Sequence, residues 1–287
     1  MRKRSRVIDV FGLIVAASAC EPAEPSPGSD SATAIASVTD NPNQVLPIAV
    51  EGTHLIVHKQ DGTRAADDEL IGAKLLVSVD GGPPQLLRVD SIEADPADKT
   101  GEILLYAFSS QDPQTGLWRN VCPADPNGLQ RGFLLSGSWT QTGEHVKDDS
   151  VIELACTSGG EGKCLRLGYL PWKSDKDFAR HQACTRMMRA DYCGDGTSYT
   201  KNGTLINVYD PETIQNEDPT DGLEFEAAWG PEGAICVKRT RIPENGSLDD
   251  LVRACPNRLT GRTGEGCSEA IALADPNTLV LNTSKPR

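Results

Sequence analysis

Short apolar runs alternate with clusters of Gly, Pro and Asp through most of this chain. His54-Leu55-Ile56-Val57-His58 closes at Asp61-Gly62, and Ala73 to Val79 is stopped by Asp80-Gly81-Gly82-Pro83-Pro84. Further runs follow at 85–92, 102–108, 151–156, 164–169, 205–209, 225–229 and 234–239. Runs of this length between turn residues predict antiparallel strands. Asp-Pro pairs at Asp95, Asp112, Asp125, Asp210, Asp218 and Asp275 mark turns. The Asp side chain can bond backbone amides just ahead of it, and Pro pre-sets the turn dihedral.

The period changes to three and four residues once, at Phe178, His181, Cys184, Met188 and Tyr192. These positions share one helical face. Ser174 supplies an N-cap with Asp177 at the third helical position, and Gly194 is placed to end the helix in the left-handed conformation. A shorter helix is predicted from Ser247 to Arg253. There is no internal repeat. The fold class that follows is mainly β, with antiparallel strands and one prominent helix in the C-terminal half, stapled by disulfides into an α+β arrangement.

The start of the chain has a different character. Arg2, Lys3, Arg4 and Arg6 precede the apolar run Val10–Ala17, and the small residues Ala17-Ser18-Ala19 lead directly to Cys20. This pattern predicts an export signal over residues 1–19, too short to span a membrane. The cysteine after small residues resembles the bacterial lipobox, in which that cysteine is acylated. Residues 20–45, rich in Pro, Ser, Ala and Asp, read as a lipidated Cys20 followed by a flexible tether. An N-terminal β region (46–121), a disulfide-rich region (122–270) and a C-terminal tail (271–287) complete the expected organisation.

Export changes the meaning of the cysteines. Beyond Cys20 there are eight, Cys122, Cys156, Cys164, Cys184, Cys193, Cys236, Cys255 and Cys267, an even set without a C-x-x-C spacing. In an oxidising compartment they are expected to pair rather than hold zinc. Cys184 and Cys193 are nine residues apart. On one helix they would lie about 13 Å apart on opposite faces, so each is expected to bond a different partner. The formal charge of −13 becomes −16 once residues 1–19 leave with four basic residues and one acidic residue. Such a surface argues against nucleic acid and anionic headgroups as partners. Lipid on Cys20 would join the protein to a membrane, and an envelope protein or glycan is the partner class left to it. No cofactor is expected, and the oligomeric state is not encoded.

The predicted helix ends in Ala190-Asp191-Tyr192-Cys193. With Cys156-Thr157-Ser158-Gly159-Gly160, Gly162-Lys163-Cys164, Gly168-Tyr169, Pro171-Trp172, His181-Gln182-Ala183-Cys184, Cys193-Gly194-Asp195-Gly196, Ala227-Ala228-Trp229-Gly230-Pro231 and Gly233-Ala234-Ile235-Cys236, the chain resembles the bacterial ADYC domain family over roughly residues 50 to 260. The resemblance implies a shared fold. It carries no assigned activity and no catalytic residue.

Several side chains invite a chemical reading. His181 and Cys184 share a helix face, where an imidazole could activate a thiolate; the plainer reading is a half-cystine beside a buried His. His181 with Asp191 or Asp195 could serve a hydrolase, although a carboxylate at a helix end more commonly binds loop amides or an Arg such as Arg186 or Arg189. Asp210, Glu212, Glu217, Asp218 and Asp221 crowd one loop, and Asp210, Asp218 and Asp221 form a calcium candidate. No EF-hand spacing supports it, so a solvated acidic loop is the better description. His54 and His58 share a strand face without a third metal ligand nearby. Trp118, Trp139, Trp172 and Trp229 could stack sugars, or pack in the core. There is no phosphate loop, G-x-S-x-G or H-E-x-x-H. The expectation is therefore a non-catalytic structural or binding module of the cell envelope, with an envelope hydrolase using His181 and Asp191 or Asp195 as the alternative.

Overall fold

The computed structural model describes residues 32–34, 37–38, 46–77, 85–98, 100–219 and 222–286; Cys20 and Asp221 lie outside them. The strands are β1 (Ala32–Ala34), β2 (Ser37–Val38), β3 (Leu46–Glu51), β4 (His54–His58), β5 (Arg64–Ala66), β6 (Lys74–Val77), β7 (Gln85–Ala94), β8 (Leu104–Gln111), β9 (Trp118–Asn120), β10 (Gly132–Ser136), β11 (Ser138–Trp139), β12 (His145–Val146) and β13 (Ile152–Cys156). Helices α1 (Gly160–Arg166) and α2 (Asp175–Arg189) follow. Then come β14 (Ile206–Tyr209), β15 (Glu224–Gly230), β16 (Gly233–Val237), α3 (Leu248–Ala254), α4 (Pro256–Leu259), α5 (Glu269–Ala274) and β17 (Val280–Ser284).

The strands form an eleven-stranded sheet in the order β1-β13-β10-β8-β7-β6-β2-β3-β4-β5 with β9 beside β8, a small β11-β12 ribbon, and a four-stranded sheet β14-β17-β15-β16. Every ladder is antiparallel. In the centre of the large sheet, alternate side chains serve opposite faces. Tyr106, Phe108 and Leu134 pack with Leu55, Leu75 and Val89 on one side. Leu105, Phe133 and Leu135 pack with Leu165 of α1 on the other. The Tyr106 hydroxyl donates to the Thr53 carbonyl at 2.8 Å and accepts the Leu55 N–H at 3.0 Å, so its polar end is satisfied inside the core.

Helix α2 lies on the four-stranded sheet, with Ala183, Cys184 and Met187 packed among Trp229, Val237 and Val280. Ser174 caps it, accepting the Asp177 N–H as the sequence predicts. The helix ends earlier than predicted: Ala190, rather than Gly194, closes it in the left-handed conformation at φ 50°. The Ser247 expectation holds, with a full capping box to Asp250 at the start of α3.

Three expectations change. Residues 164–169, read as a strand, lie in α1 and the turn after it. Gly162 allows the helix to pack on β13: a Cβ there would sit 2.3 Å from the Cys156 carbonyl oxygen. The described part of the expected tail, residues 271–286, is not one, because β17 is fully buried between β14 and β15. The division at 121/122 is crossed by the large sheet, since β10 and β13 pair alongside β8.

All eight described cysteines are joined, as Cys122–Cys156, Cys164–Cys184, Cys193–Cys255 and Cys236–Cys267, with Cα separations of 5.5–5.8 Å. Cys184 binds α2 to α1, and Cys193 binds the chain beyond α2 to the end of α3. Cys193 lies past the helix, so the two cysteines take separate partners without the single-helix geometry that the spacing suggested. Among the described residues, no helix is long and apolar enough to cross a membrane.

Candidate functional site

Two regions concentrate the polar chemistry. The first is the turn at the end of α2, where each of the four residues Ala190-Asp191-Tyr192-Cys193 has a distinct structural task. Ala190 reverses the chain. Asp191, buried, accepts the amides of Gly194 (2.9 Å), Asp195 (3.1 Å) and Gly196 (3.0 Å), and pairs with the Arg186 guanidinium at 2.5 Å. The same guanidinium donates to the carbonyls of Thr142 and Pro231. Tyr192 stacks on Trp229 with ring centroids 5.2 Å apart, and Cys193 closes onto Cys255. Gly194 follows at φ +73°, where a Cβ would sit 1.9 Å from the Glu232 carbonyl oxygen, so no side chain fits between the turn and the β15–β16 hairpin.

Behind this turn lies a buried ion pair. Arg241 contacts both Glu226 oxygens, at 3.0 to 3.2 Å, and donates to the carbonyls of Met187 and Met188 at the C-terminal end of α2. A cation there meets the unsatisfied carbonyls and the negative end of the helix dipole. Burial works to lower the Arg241 pKa, but the Glu226 carboxylate, helped by Tyr192, outweighs it and holds the group above its ordinary value. Burial, reinforced by the Glu226 charge, pushes the Tyr192 hydroxyl well up.

The proposed hydrolase residues are not brought together. His181 is fully buried, and its Nε2 donates to the Glu161 carbonyl at 3.2 Å, while Nδ1 has no hydrogen-bond partner. Burial pushes its pKa down to about 3, with His145 adding to the effect. Asp191 is committed to Arg186 and the three amides, and Asp195 accepts the Thr197 N–H at 2.9 Å. Cys184, the proposed thiolate partner of His181, is the disulfide partner of Cys164.

Of the acidic loop, Asp210 and Glu212 are committed to other partners. Asp210 accepts the amides of Glu212, Ile214 and Gln215 and the Tyr169 hydroxyl. Glu212 pairs with Lys176 and Arg180. Asp218 lies on the exposed loop, and Asp221 lies outside the described residues. Among the described residues, no group of three or more His, Cys, Asp or Glu side chains could hold a metal ion. His54 pairs with Asp67 at 3.1 Å, and His58 is half-buried at the end of β4. The tryptophans form no common platform. Trp229 is buried and donates to Asn282. Trp139 stacks on His145 at 3.7 Å. Trp118 lies under the Arg88 guanidinium.

Trp172 alone of the four borders the second region, an open cleft of about 800 Å³. One wall is the β3–β4 turn with Glu51 and Gly52; the other is the entry to α2 with Ser174, Asp175 and Phe178. Lys147, Asp148 and Asp149 close it below β12. Its floor rests on a stack of rings: Phe178 lies 4.3 Å from His145, which lies 3.7 Å from Trp139. Burial pushes the His145 pKa down to about 4, so this ring is neutral at pH 7. Sequence reading missed this cleft apart from Trp172, because its walls come from segments more than 100 residues apart. Two local signals were present, the charged run Lys147-Asp148-Asp149 and the pairing of Trp172 with the helix cap at Ser174.

No curated protein and no solved structure matches the chain. The ADYC domain model does, over residues 67–243, a stretch that holds most of the large sheet, helices α1 and α2, and the buried Glu226–Arg241 pair. With its four namesake residues built into the turn that joins α2 to the second sheet, this chain belongs to the ADYC domain family.

Proposed function

We propose that the protein is exported, anchored through lipid on Cys20, and acts as a non-catalytic binding module of the bacterial cell envelope, with the Trp172 cleft as its binding face. The observation that carries this reading is the commitment of the reactive side chains to architecture. His181 is enclosed and Asp191 is saturated by Arg186 and three amides, whereas the cleft is open and lined by aromatic and charged groups. Four disulfides suit an oxidising, extracytoplasmic compartment. The basic start, short apolar run and small residues before Cys20 supply the export and acylation signal; because β1 and β2 join the large sheet, the spacer shortens to the residues between Cys20 and β1.

Intact mass of the protein purified from the detergent phase tests the anchor. The expected product begins at Cys20 and carries more than one acyl chain, since a single chain holds only marginally. An unmodified Cys20, or a different first residue, overturns the anchored reading. For the binding face, Trp172→Ala is expected to abolish capture of envelope components by the purified protein, with circular dichroism showing that the variant still folds despite its lost packing on Leu105 and Phe133. Undiminished capture by that variant moves the binding face elsewhere.

A further inference from the structure

Lys147 places an ammonium group between an aromatic face and a carboxylate inside the cleft. Its Nζ lies 4.6 Å from the Phe178 ring centroid and 2.5 Å from Asp175. We propose that the cleft binds a basic peptide segment through its Lys or Arg side chains, and that Lys147 occupies, within the chain, the kind of seat such a side chain takes. This rests on the reading of the cleft as the binding face and names the class of ligand.

The charge balance selects the ligand. Glu51, Asp148, Asp149 and Asp175 line the cleft against Lys147 alone. Glu51 shares its charge with Arg64 at 3.2 Å. Asp148 and Asp149 are fixed by neutral donors instead: Asp148 accepts the Ser150 amide and hydroxyl, and Asp149 accepts the Ser136 hydroxyl. Those bonds orient the carboxylates and leave their charges uncompensated. An anionic ligand is repelled, and a cationic one is attracted by the uncompensated carboxylates. An ammonium or guanidinium group answers the carboxylates and, in place of Lys147, the Phe178 ring. The cleft is large enough for several side chains rather than one ion. Lys147 itself is 57% exposed. An exposed pair of this kind contributes little, so it can give way to an incoming cation.

The test is a titration of the full mature protein in detergent with an N-acetylated tetralysine amide, read by tryptophan fluorescence and calorimetry. Binding is expected to weaken as salt rises. The double variant Asp148→Asn, Asp149→Asn is expected to lose about tenfold in affinity, and Lys147→Met, which removes the resident cation, is expected to gain about threefold. Both changes lie at exposed positions, and circular dichroism checks that each variant folds. Absence of binding, equal binding of the Nε-acetylated peptide, equal binding by the double variant, or tighter binding of spermidine or chitotetraose overturns the proposal. Acylation of Cys20 is read separately by mass, so failure here leaves the anchored reading standing, and failure there leaves this one.

Discussion

The Tyr192 hydroxyl donates to Glu226 Oε1 at 3.0 Å in a fully enclosed site, and the same oxygen of Tyr192 accepts the Arg241 N–H at 3.0 Å. One side chain at the end of α2 thus completes the hydrogen bonding of a buried ion pair on the second sheet. Tyr192→Phe keeps the ring on Trp229 and removes only that bridge. It leaves a buried amide and a carboxylate oxygen short of a partner, which typically costs about 1–3 kcal/mol. The check is urea unfolding, where the midpoint is expected to fall without a change in slope.

Glu226→Gln is expected to be more damaging. Arg241 would remain buried with its charge unmatched, and breaking such a pair from one side costs roughly 3–5 kcal/mol. Replacing both partners, as Glu226→Gln with Arg241→Met, is expected to recover part of the loss, because no charge is then left enclosed. A double-mutant cycle from unfolding measurements gives the coupling. Additive losses would mean that the two residues do not act as a pair.

Acid is expected to weaken the fold through two buried imidazoles, His145 and His181. Burial depresses His145 to about 4 and His181 to about 3, both below the unfolded value near 6.5. Between pH 6.5 and 4 the unfolded chain therefore binds more protons than the native one, and this contribution to stability is lost as pH falls through that window. Above pH 6.5 it is fully present; below about 3 the loss is complete. His181→Leu combined with His145→Phe is expected to flatten the slope of unfolding free energy against pH in this range. An unchanged slope assigns the acid sensitivity to other groups.

Reduction is expected to loosen the chain unevenly. Every described cysteine lies beyond residue 120, and each native bridge is typically worth about 2–5 kcal/mol. Strands β3 to β7 have no cysteine, and the apolar cluster around Leu55, Leu75 and Val89 that holds them contains no half-cystine. Hydrogen exchange with and without reductant is expected to show protection lost first in α1, α2 and the four-stranded sheet. Equal loss in β3 to β7 contradicts it.

How far the sequence announces this structure depends on how local each signal is. Strand β4 is legible because His54–His58 is an apolar run closed by Asp61-Gly62, and the start of α2 because Ser174 and Asp177 cap it through adjacent residues. The end of α2 is not, since Asp191 gathers the amides of residues 194–196 and forces the turn at Ala190, a position with no intrinsic preference for it. Cys164-Leu165-Arg166-Leu167 alternates like a strand, yet the close approach made possible by Gly162 and the bridge to Cys184 place it in and just beyond α1. Strand β17 is hidden because Asn282 and Thr283 look like surface residues; the Trp229 indole, 53 positions away, supplies the partner that lets Asn282 be buried. The namesake motif is visible as four letters, but its work depends on Arg186, Glu226, Arg241 and Cys255, which only the fold assembles.

The central claim is that the end of α2 is a structural pin and that its cysteines and charged groups are committed to holding it. Non-reducing peptide mapping of the native protein, with alkylation before digestion, tests this most directly. The account predicts linked peptides for Cys164–Cys184 and Cys193–Cys255 and no alkylation at any of the four. A peptide joining Cys184 to Cys193, or a Cys184 that alkylates in the native protein, would contradict it and return His181 and Cys184 to consideration as a reactive pair.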